Sequence, residues 1–277
     1  MININDKINL NLNLKLTIIK KIYYSVQTKR GFYKVYNEYM GNYYGMKVLD
    51  LECNEIDDIN KEIISYNRVQ NKLTNFPKIH YSFEKDNVFY LLMDWVDGEN
   101  ISDFFKRVPR DKFEIKNRLS YCIEICKSVD LIHRSNLIHR DLKPENILIT
   151  NKKNHNNSIS IIDYGLSALK RNIDGEGTPL YQSPEQELGD FTISVKSDIY
   201  SLGQVIHYIL HTKPMELYPN DDYDDWNSFE LYSIENIDYN TEDYKKIFTQ
   251  TLAYNPKNRC NINQLINNLK QFSKGVK

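Results

Sequence analysis

The sequence predicts an α+β chain, with a small, mainly antiparallel sheet and one helix first and a larger, mainly helical part after it. Two observations predict this, and a third bounds the partners. Strand-like runs crowd the part before Trp95, and helical spacing dominates after it. The 277 residues are enough for one large domain or two lobes with sizeable cores. The charge is balanced, 36 Lys+Arg against 37 Asp+Glu, so net charge implies no pull toward nucleic acid or membrane.

Ile8, Leu10, Leu12, Leu14 and Leu16 alternate with polar residues, a period of two that predicts one half-buried strand; an Asn-rich low-complexity tail is the competing reading. Strand-like runs follow at Ile18-Ile19, at Ile22-Tyr23-Tyr24, from Phe32 to Tyr36 and from Tyr43 to Leu49. A helical pattern covers roughly Ile56 to Asn71, and Val88 to Met93 reads as an apolar strand before the polar turn Asp94-Trp95-Val96-Asp97-Gly98. Arg118 to Ser135 carries apolar residues at helical spacing. Ile147 to Ile149 and Ile159 to Ile162 read as a hairpin around the polar turn Asn151 to Ser158.

Cys53, Cys122, Cys126 and Cys260 fit neither a zinc pattern nor a disulfide framework, so they read as free thiols in a reducing compartment. There is no apolar run long enough for a membrane span. Met1 to Asp6 lacks the layout of a signal peptide, so an intracellular, cytoplasmic protein is expected.

The most informative stretch is His139-Arg140-Asp141-Leu142-Lys143-Pro144-Glu145-Asn146, followed after a strand by Asp163-Tyr164-Gly165. An acid, a cation and an amide share one loop, with a second acid nearby. Phosphoryl transfer from a nucleotide–magnesium complex needs this set: a carboxylate for the attacking hydroxyl, a Lys for the phosphoryl oxygens, and an Asn and an Asp as hard oxygen ligands.

These residues resemble the catalytic loop and D-F-G of the eukaryotic-type Ser/Thr protein kinases. The resemblance spans roughly residues 16 to 272 and implies a two-lobed fold in one kinase domain, with an N-lobe to about 95, a hinge at about 94–98 and a helical C-lobe from about 97. ATP and Mg²⁺, or Mn²⁺ in its place, are then expected between the lobes, with an unidentified protein as substrate. Asp141 is expected as catalytic base with Lys143 and Asn146 as its partners, and Asn146 and Asp163 as metal ligands. Lys47, in Gly45-Met46-Lys47-Val48, resembles the strand lysine that holds phosphates, and Glu62 its helix partner. Val35, Met93, Asp94, Val96 and Leu148 are expected around the nucleotide, with Asn100 at the ribose. Gly177 to Glu185 resembles the peptide-docking segment, which implies Thr178 and Glu145 at the substrate. His139, Arg140, Glu185, Asp198 and Arg259 are implied as structural, with Glu185 paired to Arg259 and Asp198 accepting bonds from the catalytic-loop backbone. Asp174, with Glu176, is expected to offer Arg140 a permanent carboxylate where related kinases carry a phosphate. The acidic stretch from Glu216 to Asp243 reads as a solvated face or as a docking patch for a basic partner.

One part departs from the pattern. Counted back from Val35, the glycines of the phosphate-covering loop fall on Thr28, Arg30 and Tyr33, with Gly31 as the only glycine nearby. Side chains there should reshape nucleotide binding, and Arg30 is a candidate to offer charge to the phosphates. Tyr164 replaces the Phe of D-F-G and brings a hydroxyl that needs a partner. An active Ser/Thr protein kinase is the leading reading. A pseudokinase acting as a binding module is the alternative, and a small-molecule kinase of similar fold the third.

Overall fold

The computed structural model describes residues 3–11, 14–70, 76–108, 112–151, 157–164, 177–215, 233–234 and 238–276. The chain divides into two compact units, Met1–Asp97 and Gly98–Lys277.

The first unit is a six-stranded antiparallel sheet in the order β1-β2-β3-β4-β6-β5 with one helix. Its strands are β1 (Lys7–Asn11), β2 (Leu14–Ser25), β3 (Arg30–Asn37), β4 (Asn42–Asp50), β5 (Ile79–Lys85) and β6 (Val88–Asp94), and its helix is α1 (Ile56–Gln70). Successive strand side chains face opposite ways. Leu14, Leu16, Ile18, Tyr33, Val35, Met46, Val48 and Leu92 therefore gather into one buried cluster on one face. The other face carries Phe32 opposite Lys47, and Gly45 opposite Met93. Helix α1 buries Ile59, Glu62, Ser65 and Tyr66, one stripe at helical spacing.

Two expectations change here, and one strand adds to them. The alternating run from Ile8 to Leu16 makes two antiparallel strands, with Ile8 opposite Leu16. A reversal keeps the period of two on both arms, so alternation alone does not reveal it. Strand β5 had no clear signal, because this edge strand is mostly exposed and needs no strict alternation. Val35, expected at the nucleotide, is fully buried in the cluster on the face away from Lys47.

The second unit holds a small sheet, β7 (Glu99–Asn100), β8 (Ile147–Asn151) and β9 (Asn157–Ile161), and the helices α2 (Ile101–Arg107), α3 (Lys112–Arg134), α4 (Pro184–Glu187), α5 (Val195–His211), α6 (Thr241–Thr251) and α7 (Ile262–Gly275). Helix α5 is buried from Ser197 through His211. Such a helix must be apolar or fully bonded all round, and α3 and α6 pack against it. Arg118 of α3 is also wholly buried. It donates to the carbonyls of Ile209 and Val108 and lies 4.7 Å over the Phe105 ring.

All four cysteines are free thiols. Burial pushes Cys122 and Cys126 well up, and Cys260 to about 11, so these three stay protonated at neutral pH.

Candidate functional site

In the first unit β4 and α1 bring Lys47 and Glu62 together. Lys47 Nζ donates to Glu62 Oε1 at 2.7 Å, and both side chains are almost fully buried. A pair this dry holds only because each charge has its counter-charge.

Beside Lys47 the open face is built around Gly45. A Cβ there would lie 2.6 Å from Phe32 Cζ and 3.4 Å from Met93 Cγ. The Phe32 ring fills that space and continues an aromatic row, with centroids 6.4 Å from Tyr23 and 6.5 Å from Trp95. Lys34 Nζ sits 4.6 Å over the Trp95 ring. The Asp94 amide donates to the Lys78 carbonyl at 2.8 Å. Its carboxylate accepts from the Lys78 amide at 3.0 Å and meets His80 Nε2 at 2.6 Å. The Asp94 amide is therefore engaged within the sheet, so the main-chain group it can offer a base is its carbonyl.

In the second unit the loop after α3 carries a dense polar network. Asp141 Oδ1 accepts from Thr178 Oγ1 at 2.7 Å, and its Oδ2 meets Lys143 Nζ at 2.9 Å and Asn146 Nδ2 at 3.1 Å. Lys143 Nζ also donates to Thr178 Oγ1 at 2.7 Å. Asn146 Nδ2 reaches the Asp141 carbonyl as well, at 2.9 Å. Both Asn146 bonds use the amide nitrogen, and the amide oxygen is the donor a hard cation takes. The Ile162 amide donates to the Asn146 carbonyl at 2.9 Å, which brings Asp163 beside the loop.

Two non-glycine residues here hold left-handed backbone, Arg140 at φ +68° and Asp163 at φ +65°. Such conformations persist when neighbours over-determine them. For Arg140 the neighbours are visible. Asp198 of α5 accepts the His139 and Arg140 amides, each at 2.9 Å, and Gln186 Nε2 donates to the Arg140 carbonyl at 2.7 Å. Burial alone would raise the Asp198 carboxyl. The His133 hydrogen bond at 2.8 Å, the charge of His133 and His139 and the His139 amide outweigh it and hold Asp198 below the usual carboxylate range.

Glu185 and Arg259 form a buried fork, with bonds of 2.7 and 2.8 Å. The remaining Arg259 N–H groups go to the carbonyls of Ala253, Lys196 and Tyr254, at 2.7, 2.9 and 2.9 Å. All five guanidinium donors are thereby satisfied. The Tyr164 ring lies 5.1 Å from His139, and its hydroxyl donates to the Ile161 carbonyl at 3.4 Å.

The other expected residues fall as follows. Leu148 is half-buried on β8, Glu145 is exposed, and Met93 is buried on β6. Asn100 caps α2, with its Oδ1 accepting from the Asp103 amide. Asp174, Glu176 and most of the acidic stretch lie outside the described residues. Within that stretch, Glu242 and Asp243 sit in the first turn of α6, where the helix dipole favours acids. No cluster of three or more His, Cys, Asp or Glu that could hold a metal occurs among the described residues. No helix among them is long and apolar enough to cross a membrane.

Sequence reasoning missed Phe32, Gln186 and His133. Phe32 lies fifteen positions before Lys47, directly opposite it in the sheet register. Counting from Lys47 instead of from a valine would have found it. Gln186 and His133 carry no local signal.

The family model of the protein kinase domain matches residues 30–269. A human protein named serine/threonine-protein kinase DCLK3 is 26% identical over 233 residues, covering 80% of this chain and 35% of that protein. The tobacco mitogen-activated protein kinase kinase SIPKK is 32% identical over 185 residues, 62% of this chain and 48% of its own. CBL-interacting protein kinase 5 of rice is 28% identical over 243 residues, 84% of this chain and 50% of its own. The chain thus spans half or less of the length of these relatives.

Proposed function

The chain belongs to the protein kinase domain family, and from that premise we propose that it is a serine/threonine protein kinase, transferring the ATP γ-phosphoryl group to a protein hydroxyl. The observation that carries this is the Asp141 carboxylate, held at once by Thr178, Lys143 and Asn146. A general base must be fixed in orientation before it is useful.

The roles are these. Asp141 orients the acceptor hydroxyl and takes its proton. Lys143, two residues on, steadies the transferring oxygens, and this Lys is what the Ser/Thr branch carries. The name of the human relative, a serine/threonine-protein kinase, agrees with that branch. The Asn146 amide oxygen and the Asp163 carboxylate suit Mg²⁺, which keeps its remaining positions for phosphate and water. Mg²⁺ supplies charge neutralisation across the phosphates when bound. Lys47, aimed by Glu62, holds the non-transferred phosphates. Met93, the Asp94 carbonyl, the Val96 amide and Leu148 border the base, with Phe32 in the place expected of Val35. Thr178 and Glu145 face the protein substrate. Asp174, outside the described residues, is the carboxylate proposed for Arg140 in place of a loop phosphate, and the activity is then independent of phosphorylation.

The test is phosphate transfer from labelled ATP to a generic basic protein, with Asp141→Asn as control. Equal incorporation by parent and variant rejects the assignment.

A further inference from the structure

The turn between β2 and β3 contains no glycine, yet it is the segment that covers the phosphates if the nucleotide reading holds. Residues 26–29 read Val-Gln-Thr-Lys, flanked by Ser25 and Arg30. Side chains fasten this turn from several sides. Asn54, almost fully buried, donates from Nδ2 to the Thr28 carbonyl at 3.0 Å and to the Asp50 carbonyl at 2.7 Å, and its Oδ1 accepts from Arg30 Nε. Both amide protons and the amide oxygen are thereby used. The Asp50 amide donates to the Lys29 carbonyl at 3.2 Å. Lys29, in left-handed backbone at φ +46°, reaches Glu52 at 2.9 Å and Asp50 at 3.3 Å.

Asp50 ends the strand that carries Lys47, and Asn54 lies two residues before the helix that carries Glu62. One side-chain amide thus joins the turn, the Lys47 strand and the lead-in to the Glu62 helix. We propose that Asn54 is a positioning residue that pre-orders the β2–β3 turn for ATP. The turn is held in one conformation before the nucleotide arrives, so less ordering entropy is lost on binding. This does for a glycine-free turn what backbone freedom would otherwise do by adapting to the phosphates. The proposal rests on the nucleotide site argued above. It gives Arg30, a candidate for a phosphate contact in the sequence, a partner inside the protein.

The test uses Asn54→Ala, Arg30→Ala and the double variant of the full chain. Amide exchange on the free protein reads the tie alone. Asn54→Ala should lose protection at 26–30 while the central strands β4 and β6 keep theirs. Calorimetry reads the nucleotide. Each single variant should bind ATP about tenfold more weakly, and the double variant should be little worse, because both changes cut the same tie. Asn54→Asp keeps the acceptor for Arg30 but loses both donors, and should fall between parent and Asn54→Ala. Unchanged exchange at 26–30 overturns the proposal. So does a drop in melting temperature with parental ATP affinity, which makes Asn54 purely structural, and so do additive affinity losses. A parent that binds no ATP overturns the nucleotide reading and with it the purpose assigned to the tie, while the exchange result still reports whether the tie exists.

Discussion

Gly45 and Phe32 fit each other. They stand on adjacent strands of the first unit, and the Phe32 ring occupies the volume a Cβ at Gly45 would need, 2.6 Å from its Cζ. The absent methyl and the large ring are one arrangement. Gly45→Ala should therefore destabilise by about 1–3 kcal/mol through overpacking. Phe32→Val should cost about 1 kcal/mol through lost contact area, since the ring is half-buried on the open face. The double variant should recover much of the loss, with a coupling of about 1 kcal/mol or more. Thermal melts of the four proteins check this, and simple additivity would show that the two sites are independent.

Asp141→Asn and Asp163→Asn preserve size and remove charge. Phosphate incorporation should drop about a thousandfold in Asp141→Asn, the scale of a lost base and its electrostatic contribution. Asp163→Asn should fall comparably and require more Mg²⁺ for the activity it keeps. Both should melt near the parent. Chelating divalent cations should abolish transfer in the parent without unfolding it.

The Glu185–Arg259 fork predicts a large stability loss of the opposite kind. Glu185→Gln leaves a buried guanidinium without its counter-charge and should cost about 3–5 kcal/mol. Arg259→Lys retains charge but loses the five-donor fan and should also destabilise strongly. Denaturant titrations measure both. A midpoint close to the parent in either variant would contradict the importance given to this pair.

His207 lies in α5 with Nδ1 2.8 Å from the Lys213 carbonyl, and burial lowers its pKa from 6.5 to about 4. The folded chain therefore resists a proton that the unfolded chain accepts. Stability should fall as pH drops from about 6.5 toward about 4, by up to about 3 kcal/mol from this group. Above that window the group is neutral in both states and contributes no slope. His207→Leu should flatten this part of the pH–stability curve, and an unchanged slope would assign the acid sensitivity elsewhere.

The run from His139 to Asn146 was legible in the sequence because its groups are local. Asp141, Lys143 and Asn146 lie within six positions, and one loop is enough to bring them together. Lys47 and Glu62 were legible as a strand lysine and a helix glutamate. That they meet at 2.7 Å in a nearly dry setting is a property of the packed unit. The long helix α3 followed from periodicity, which reports which face is buried, and the hairpin β8–β9 from two apolar runs around a polar turn.

Other features needed the register. Val35 and Phe32 are three residues apart, so they face opposite sides of β3, and only the pairing of Phe32 with Lys47 identifies the side open to a ligand. The reversal between Ile8 and Leu16 was invisible because both arms alternate alike. Asn54, Gln186 and His133 look like ordinary polar residues in the sequence. Their importance arises from long-range partners: the Thr28 carbonyl for Asn54, the Arg140 carbonyl for Gln186 and the Asp198 carboxylate for His133. By itself the sequence pointed to the family, most of the element types and the groups available for phosphoryl transfer, since these depend on residue identity and short spacing. Tertiary structure alone decided which faces those groups share and what holds the left-handed backbone at Arg140, because burial and hydrogen-bond satisfaction are settled between residues far apart in the chain.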